Sequence, residues 1–499
     1  MHITMKAIIR FSFVLSLLCV VALSVVASQP VKPIKLKTGE KATIDGITYQ
    51  LYPKKLEAKV IKGETPYVDE IQIPDSVVND SLTYMVVEID AKAFSKSNVT
   101  AVVIPASVQK IGAGAFEGCN SLDQMTIPMT VTDMGIGLFA GCQNLESVTL
   151  QENLEKIPNS TFAKCTNLHS FQFPANLKKI GISAFEGCSD LNEIELPSSV
   201  DEIGRDAFKD CTNLKDIKLN NGLKSLGSGV FEHCVSLKSI ELPKSLSKLP
   251  NDLFKGCSTL QEVQIPNSVK ELGSSAFEGC ADLRKITLPS SVIDLGSSVF
   301  EGCTSLEAMT LPSGLEKVPA EAFKGCSNLK DLAISFSVKS IAHDAFQGCA
   351  RLDSVFVPNS VKEIGSSAFE GCTNLRRVQL SNALKVLPSK LFRGCSNLND
   401  VAIPNSVAEV KDDVFRDCTS LTSIVIPVSV KKLGNDVFKN CSSLQEITMR
   451  SAAPPKISSD TFDKNVLRYA TLYVPSKDAY EGEKEKRWTK FSNIVKNNK

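Results

Sequence analysis

Fifteen of the sixteen cysteines in this 499-residue chain, from Cys119 to Cys441, recur at a constant interval of 23 residues. A fixed period on the order of 20 to 50 residues marks a solenoid, a row of small units none of which can bury an apolar core alone. Length by itself would suggest roughly three domains. Fifteen units without an insertion or deletion instead require one elongated array.

Aligning the units on the cysteine separates the columns that packing dictates from those it leaves free. Phe stands three residues before the cysteine in every unit (Phe116, Phe139 and so on to Phe438), and Leu stands three residues after it (Leu122 to Leu444). Positions six and eight residues after it are always apolar, as in Ile194 and Leu196, with a polar residue usually between them. That alternation predicts a short, half-buried strand. The next position is Pro in eleven of the fifteen units from Pro105 to Pro427, the exceptions being Gln151, Asn220, Ser335 and Ser381. Proline lacks the N–H that would continue a ladder, so the strand ends there. A second apolar pair follows, such as Val361 and Ile364, and then a column with Gly in nine units and Pro in four, read as a bend. The stretch from that bend through Ala-Phe-x-Gly-Cys is expected to be a short helical turn or irregular corner that drops Phe inward.

The N-terminus carries Lys6 and Arg10, an apolar run from Phe11 to Val26, and Val25-Val26-Ala27, which fits the small-residue cleavage pattern of a secretory signal. Residues 1–27 are read as that signal; an uncleaved anchor is the other reading, for which the run is slightly short. Leu18 before Cys19 does not suit a lipid-attachment site. Removing the signal takes two positive charges and no negative ones from 56 Lys+Arg and 55 Asp+Glu, leaving a net charge near −1. There is no basic field for nucleic acid, and no later segment could span a membrane as a helix.

The recurring Leu-x-x-Ile-x-Ile-Pro-x-Ser-Val-x-x-Ile-Gly-x-x-Ala-Phe-x-Gly-Cys, nearly whole from Leu260 to Cys280 and from Leu352 to Cys372, resembles the BspA-like leucine-rich repeats over about residues 70–475. The resemblance implies a leucine-rich repeat solenoid, α/β-type but mostly β: a single elongated right-handed array with short parallel strands, capped at both ends. It divides the chain into the signal (1–27), an N-terminal β-rich cap (28–90), the repeats (91–449) and a C-terminal cap (450–499). Phe94 falls one residue short of the register and Phe462 one residue late. The resemblance also implies secretion or display at the cell surface and a non-catalytic role in adhesion or protein binding. The expected partner is a protein, of host extracellular matrix such as fibronectin or fibrinogen or of another cell surface.

The cysteines permit a disulfide reading, but fifteen is odd. Equivalent columns in adjacent rungs would hold parallel Cβ atoms about 4.8 Å apart, outside the usual disulfide separation of about 3.5–4.5 Å. Buried free thiols packing as small hydrophobes fit better. No CxxC is present, and one thiol per rung cannot surround zinc. His169, His233 and His343 lie in different columns and are expected to be solvated. With no GxSxG, HExxH, P-loop or dinucleotide-binding glycine pattern, no catalytic, cofactor or metal site is expected.

Specificity must then lie in variable columns, above all the outward strand residue seven after the cysteine. From Thr126 to Thr310 that column is polar or charged; from Ala333 it reads Ala333, Phe356, Gln379, Ala402, Val425. Of 24 phenylalanines, only Phe336 and Phe356 fall outside the core columns, the caps and the signal. Ala333, Phe336, Phe356, Ala402 and Val425 form the candidate protein-binding patch, since clustered exposed apolar residues mark interaction sites more often than scattered ones. Two alternatives stand beside it: Phe336 packs back over the proline-less bend at Ser335, or the array is an envelope component or spacer with no dedicated ligand.

Overall fold

A computed structural model describes residues 39–482 and 487–497; the signal-peptide expectation lies outside the described residues. The described chain coils into a mostly β parallel solenoid of about 18 turns at the 23-residue spacing. A typical unit contributes a three-residue strand, as at Gln124–Thr126, and a two-residue strand, as at Lys110–Ile111. Both pair in parallel with their counterparts one unit on, for example Gln124 with Ser147 and Lys179 with Glu202. The three-residue strands run exposed, buried, exposed, because successive side chains alternate faces. The second ladder gains a further bond where Gly181 donates its N–H to the Ile157 carbonyl at 2.9 Å. Pro158, Pro250, Pro319 and Pro388 occupy that column and cannot make it.

The corner contains no helix. Two positions per unit adopt left-handed backbone instead, as at Ser275 (φ 55°) and Gly279 (φ 73°). Every second N–H along the corner thereby reaches the following rung: Ser275 to the Ser297 carbonyl at 2.9 Å, Phe277 to Val299 at 2.9 Å, Gly279 to Glu301 at 2.7 Å. The hydrogen bonding of a third ladder is present without extended strands. Glycine suits the left-handed site before the cysteine, and ten units have it; Lys164, Asp210, His233, Asp417 and Asn440 take the same conformation, at a cost of about 1–2 kcal/mol each.

Inside, the phenylalanine column forms a continuous stack from Phe94 to Phe462, with successive ring centroids 5.1–6.1 Å apart. Tyr67 closes one end at 4.8 Å and Phe491 the other at 5.0 Å, with Trp488 beside it. The register slips at Phe94 and Phe462 leave the stack intact, at 5.2 and 5.4 Å from their neighbours. The loops between rungs absorb one residue more or less without moving the ring.

The cysteines are buried and unpaired. Each of the fifteen donates its S–H to the carbonyl of the phenylalanine one unit back, at 3.0–3.3 Å. A small apolar side chain with a weak donor fills the space and gives an inward carbonyl a second donor beside the backbone N–H three residues on, which alanine or valine could not do. One rung departs from the pattern: Phe171 and Phe173 place two rings against Phe185, at 4.9 and 5.6 Å, and residues 170–172 form no strand. That rung holds rings in columns occupied elsewhere by aliphatic chains.

At the N-terminal end, Glu40–Ile44, Ile47–Tyr52 and Glu57–Val60 pair antiparallel, and Glu57–Val60 joins Leu82–Ile89, which leads into Lys110–Ile111. Val68–Gln72 starts the other ladder beside Asn98–Val103. At the far end Glu446–Met449, Thr471–Val474 and Asn493–Lys496 continue it. The helix Lys464–Tyr469 is N-capped by Asp463, which accepts the Val466 N–H at 2.8 Å. Buried Trp488 donates to the Pro455 carbonyl at 3.1 Å, and Tyr480 to Ser451 at 2.8 Å.

Candidate protein-binding face

The three-residue strands turn their first and third residues outward, so the column seven after each cysteine lies on one continuous face. Ala333 and Ala402 are exposed on it, with Phe356 at 45% and Val425 at 44%. Phe336, just beyond its strand, is 76% exposed and does not fold back over Ser335. Ser335 takes the place of the usual proline, and its hydroxyl binds Ser337, whose own hydroxyl reaches the Leu315 carbonyl at 2.7 Å. That tie orders the bend while leaving the Phe336 side chain outside it. Its ring meets Phe356 edge-on, centroids 6.0 Å apart at 64°.

Ala333 and Phe336 line a groove of about 800 Å³ that extends back to Lys285. Ala402 lines a separate concavity of about 330 Å³ beside Arg377 and Asp400, so the five residues share a face without forming one contact cluster. Gln379 separates the two halves. Val428, 57% exposed, lies in the Phe336 column four units on and belongs to the same apolar stretch as Val425. Reading only the strand column missed it. Met129, 79% exposed, occupies this post-proline column near the other end.

Charge on this stretch is largely self-neutralised. Arg377 Nε lies 2.7 Å from Asp400 Oδ2 and Arg376 Nε 3.7 Å from Asp353 Oδ1, all on exposed side chains. Exposed pairs of this kind contribute about 0–1 kcal/mol; their effect is to leave little local field. His169, His233 and His343 are exposed. His233 Nδ1 contacts Asp210 Oδ1 at 2.9 Å and His343 Nδ1 contacts Asp344 Oδ2 at 2.9 Å. Among the described residues no group of His, Cys, Asp and Glu is placed to hold a metal, and no helix is long and apolar enough to cross a membrane.

Burial pushes every thiol in the column up: Cys119 to about 11, Cys165 and Cys372 to about 12, and Cys280 and Cys349 well above the ordinary range. Nucleophilicity resides in the thiolate, so these thiols are chemically inert while folded. Iodoacetamide at pH 8 should modify none of Cys119 to Cys441 in the native protein and all fifteen in guanidinium, counted by intact mass. Native labelling of interior units would contradict the packing described.

The periodic columns match the BspA type leucine rich repeat region over residues 87–214, 178–307, 250–376, 294–422 and 362–479. A leucine-rich repeat protein from Bacteroides ovatus is 28% identical, covering 83% of this chain and 98% of its own, with a TM-score of 0.58. A leucine rich cell surface protein from Faecalibacterium prausnitzii is 25% identical over 83% of this chain and 96% of its own, TM-score 0.37. The T. pallidum leucine rich repeat protein is 26% identical over 49% of this chain and 92% of its own, TM-score 0.30. No curated protein matches. With matches running from residue 87 to residue 479 and a stacked-ring, thiol-lined interior to account for the repeating columns, the chain belongs to the BspA type leucine rich repeat family.

Proposed function

We propose that this protein is an exported, non-catalytic binding module that engages a protein partner on host matrix or on another cell through its three-residue-strand face. The observation that carries this reading is the exposed apolar stretch of Ala333, Phe336, Phe356, Ala402 and Val425, which contains the face's two phenylalanines in edge contact; exposed Val103 and Met129 at the other end of the face include no aromatic ring. Water contact with such a cluster is unfavourable in the free protein and is relieved on binding. The family supports the setting, since BspA type proteins are typically bacterial surface proteins and generally non-catalytic. Loss of residues 1–27 on export would present the array outside the cell.

Residues 28–499, offered to fibronectin, fibrinogen and intact neighbouring cells, should bind at least one of them saturably. Phe356→Asp should weaken that binding by at least about tenfold, as expected for a buried aromatic anchor, with the circular dichroism spectrum unchanged. Saturable binding untouched by Phe356→Asp would place the interface elsewhere. No saturable binding at all would favour a spacer whose length is its function.

A further inference from the structure

We infer that the groove beside Phe336 receives an uncharged, apolar side chain carried on a polypeptide segment of the partner; this rests on the binding-module reading above. Three successive strands, Lys285–Thr287, Ala308–Thr310 and Asp331–Ala333, build the groove. Buried Met309, Leu311 and Ile334 form its floor. Thr287, Thr310 and Ala333 rise along the strand side, and Phe336 stands at the end. At about 800 Å³ it falls within the range of ligand-binding clefts, with room for a large side chain and its flanking backbone.

Its chemistry selects the occupant. Lys285 is the one charged residue lining the groove, at the end away from Phe336. A charged group entering beside Phe336 would leave water without a counter-charge, an unfavourable exchange. An aliphatic or aromatic group would lose only unfavourable hydration there. The Ser335 and Ser337 hydroxyls next to Phe336 are tied to each other and to the Leu315 carbonyl. Phe356 meets the Phe336 ring edge-on from the following rung and extends the apolar end wall.

The test is to pan a library of short random peptides on wild-type residues 28–499 and to titrate the enriched peptides. Enriched sequences should carry Trp, Phe or Leu without net charge, and their affinity should change less than about twofold between low and physiological salt. Phe336→Ser and Thr310→Lys, both at exposed positions, should each weaken binding by about tenfold or more. Charged consensus sequences, or equal binding by both variants, would overturn the assignment. Neutral oligosaccharides on an array form the second arm: their capture, lost in Phe336→Ser while no peptide is selected, would make the groove a sugar site. Should neither library bind while the protein still captures cells through Phe356, the groove inference fails and the binding module survives. Absence of cell and matrix capture as well would remove both.

Discussion

Between about pH 9 and pH 10.5 the array should lose its structure, far more steeply than an ordinary globular protein. Fifteen thiols are buried in one column, and desolvation raises each above its ordinary value, to about 11 for Cys119 and about 12 for Cys441. Below the unfolded thiol value of about 8.5 both states are neutral and the folded state suffers no penalty. Above it the unfolded chain releases protons that the folded chain retains. Each thiol then removes about 1.4 kcal/mol per pH unit, and fifteen together about 20 kcal/mol per pH unit, until pH passes the folded values. Stability of about 0.05–0.15 kcal/mol per residue corresponds to about 1–3.5 kcal/mol per 23-residue rung, which one thiol per rung removes within about one to two pH units. Melting temperature followed from pH 7 to pH 10.5 by circular dichroism in reductant should fall abruptly. Replacing Cys257, Cys280 and Cys303 by alanine should make the fall shallower by about one fifth. A melting temperature flat through pH 10 would mean the thiols are solvated.

Removing one ring from the stack should be the most damaging single change in the interior. Phe277 is fully buried between Phe254 and Phe300, each 5.4 Å away. Phe277→Ala should cost about 3–5 kcal/mol, the usual range for a large buried aromatic. The loss falls on two interfaces at once, because each unit is stabilised by its neighbours. Amide hydrogen exchange should accelerate first between residues 254 and 300 and leave the distant units protected. Phe356→Ala, on the surface, should change stability by no more than about 0.5 kcal/mol. Equal costs for the two substitutions would contradict the assignment of one phenylalanine column to the core and the pair at 336 and 356 to the surface.

Most of the architecture was legible because packing repeats. A residue that must face the interior in every rung yields an invariant column, and the Phe, Cys and Leu columns proved to be the buried ones. The corner was less legible. Glycine before the cysteine hinted at left-handed backbone, but the second left-handed position holds Ser, Asp, Glu, Lys or Gly, and mixed composition hides conformation. The expected helical option fails there because its N–H groups bond to the next rung, a preference set by neighbours rather than by local propensity. The thiol-to-carbonyl bond was likewise invisible, since the acceptor lies 26 or 25 residues away in sequence and only the coil brings it close.

The face was legible only by elimination. Phe336 and Phe356 stood out because no core column claimed them, and the structure places both rings outside and in contact. The groove next to Phe336 carried no such signal: it is formed from threonines, an alanine and backbone that look unremarkable in any one unit. Val428 escaped because attention to the strand column excluded the residue just past the proline, where exposure is greater still.

The proposed interface lies in residues that do not repeat, on the strand face between Lys285 and Val428. Hydrogen exchange of the chain with and without a saturating captured partner tests that directly. Protection should concentrate in Lys285–Thr287, Ala308–Thr310, Asp331–Ala333, Ser354–Phe356, Arg377–Gln379 and Ser423–Ile426, leaving the left-handed corner and the two-residue ladder unchanged. Protection spread evenly along all rungs, or confined to the corner or the caps, would contradict it.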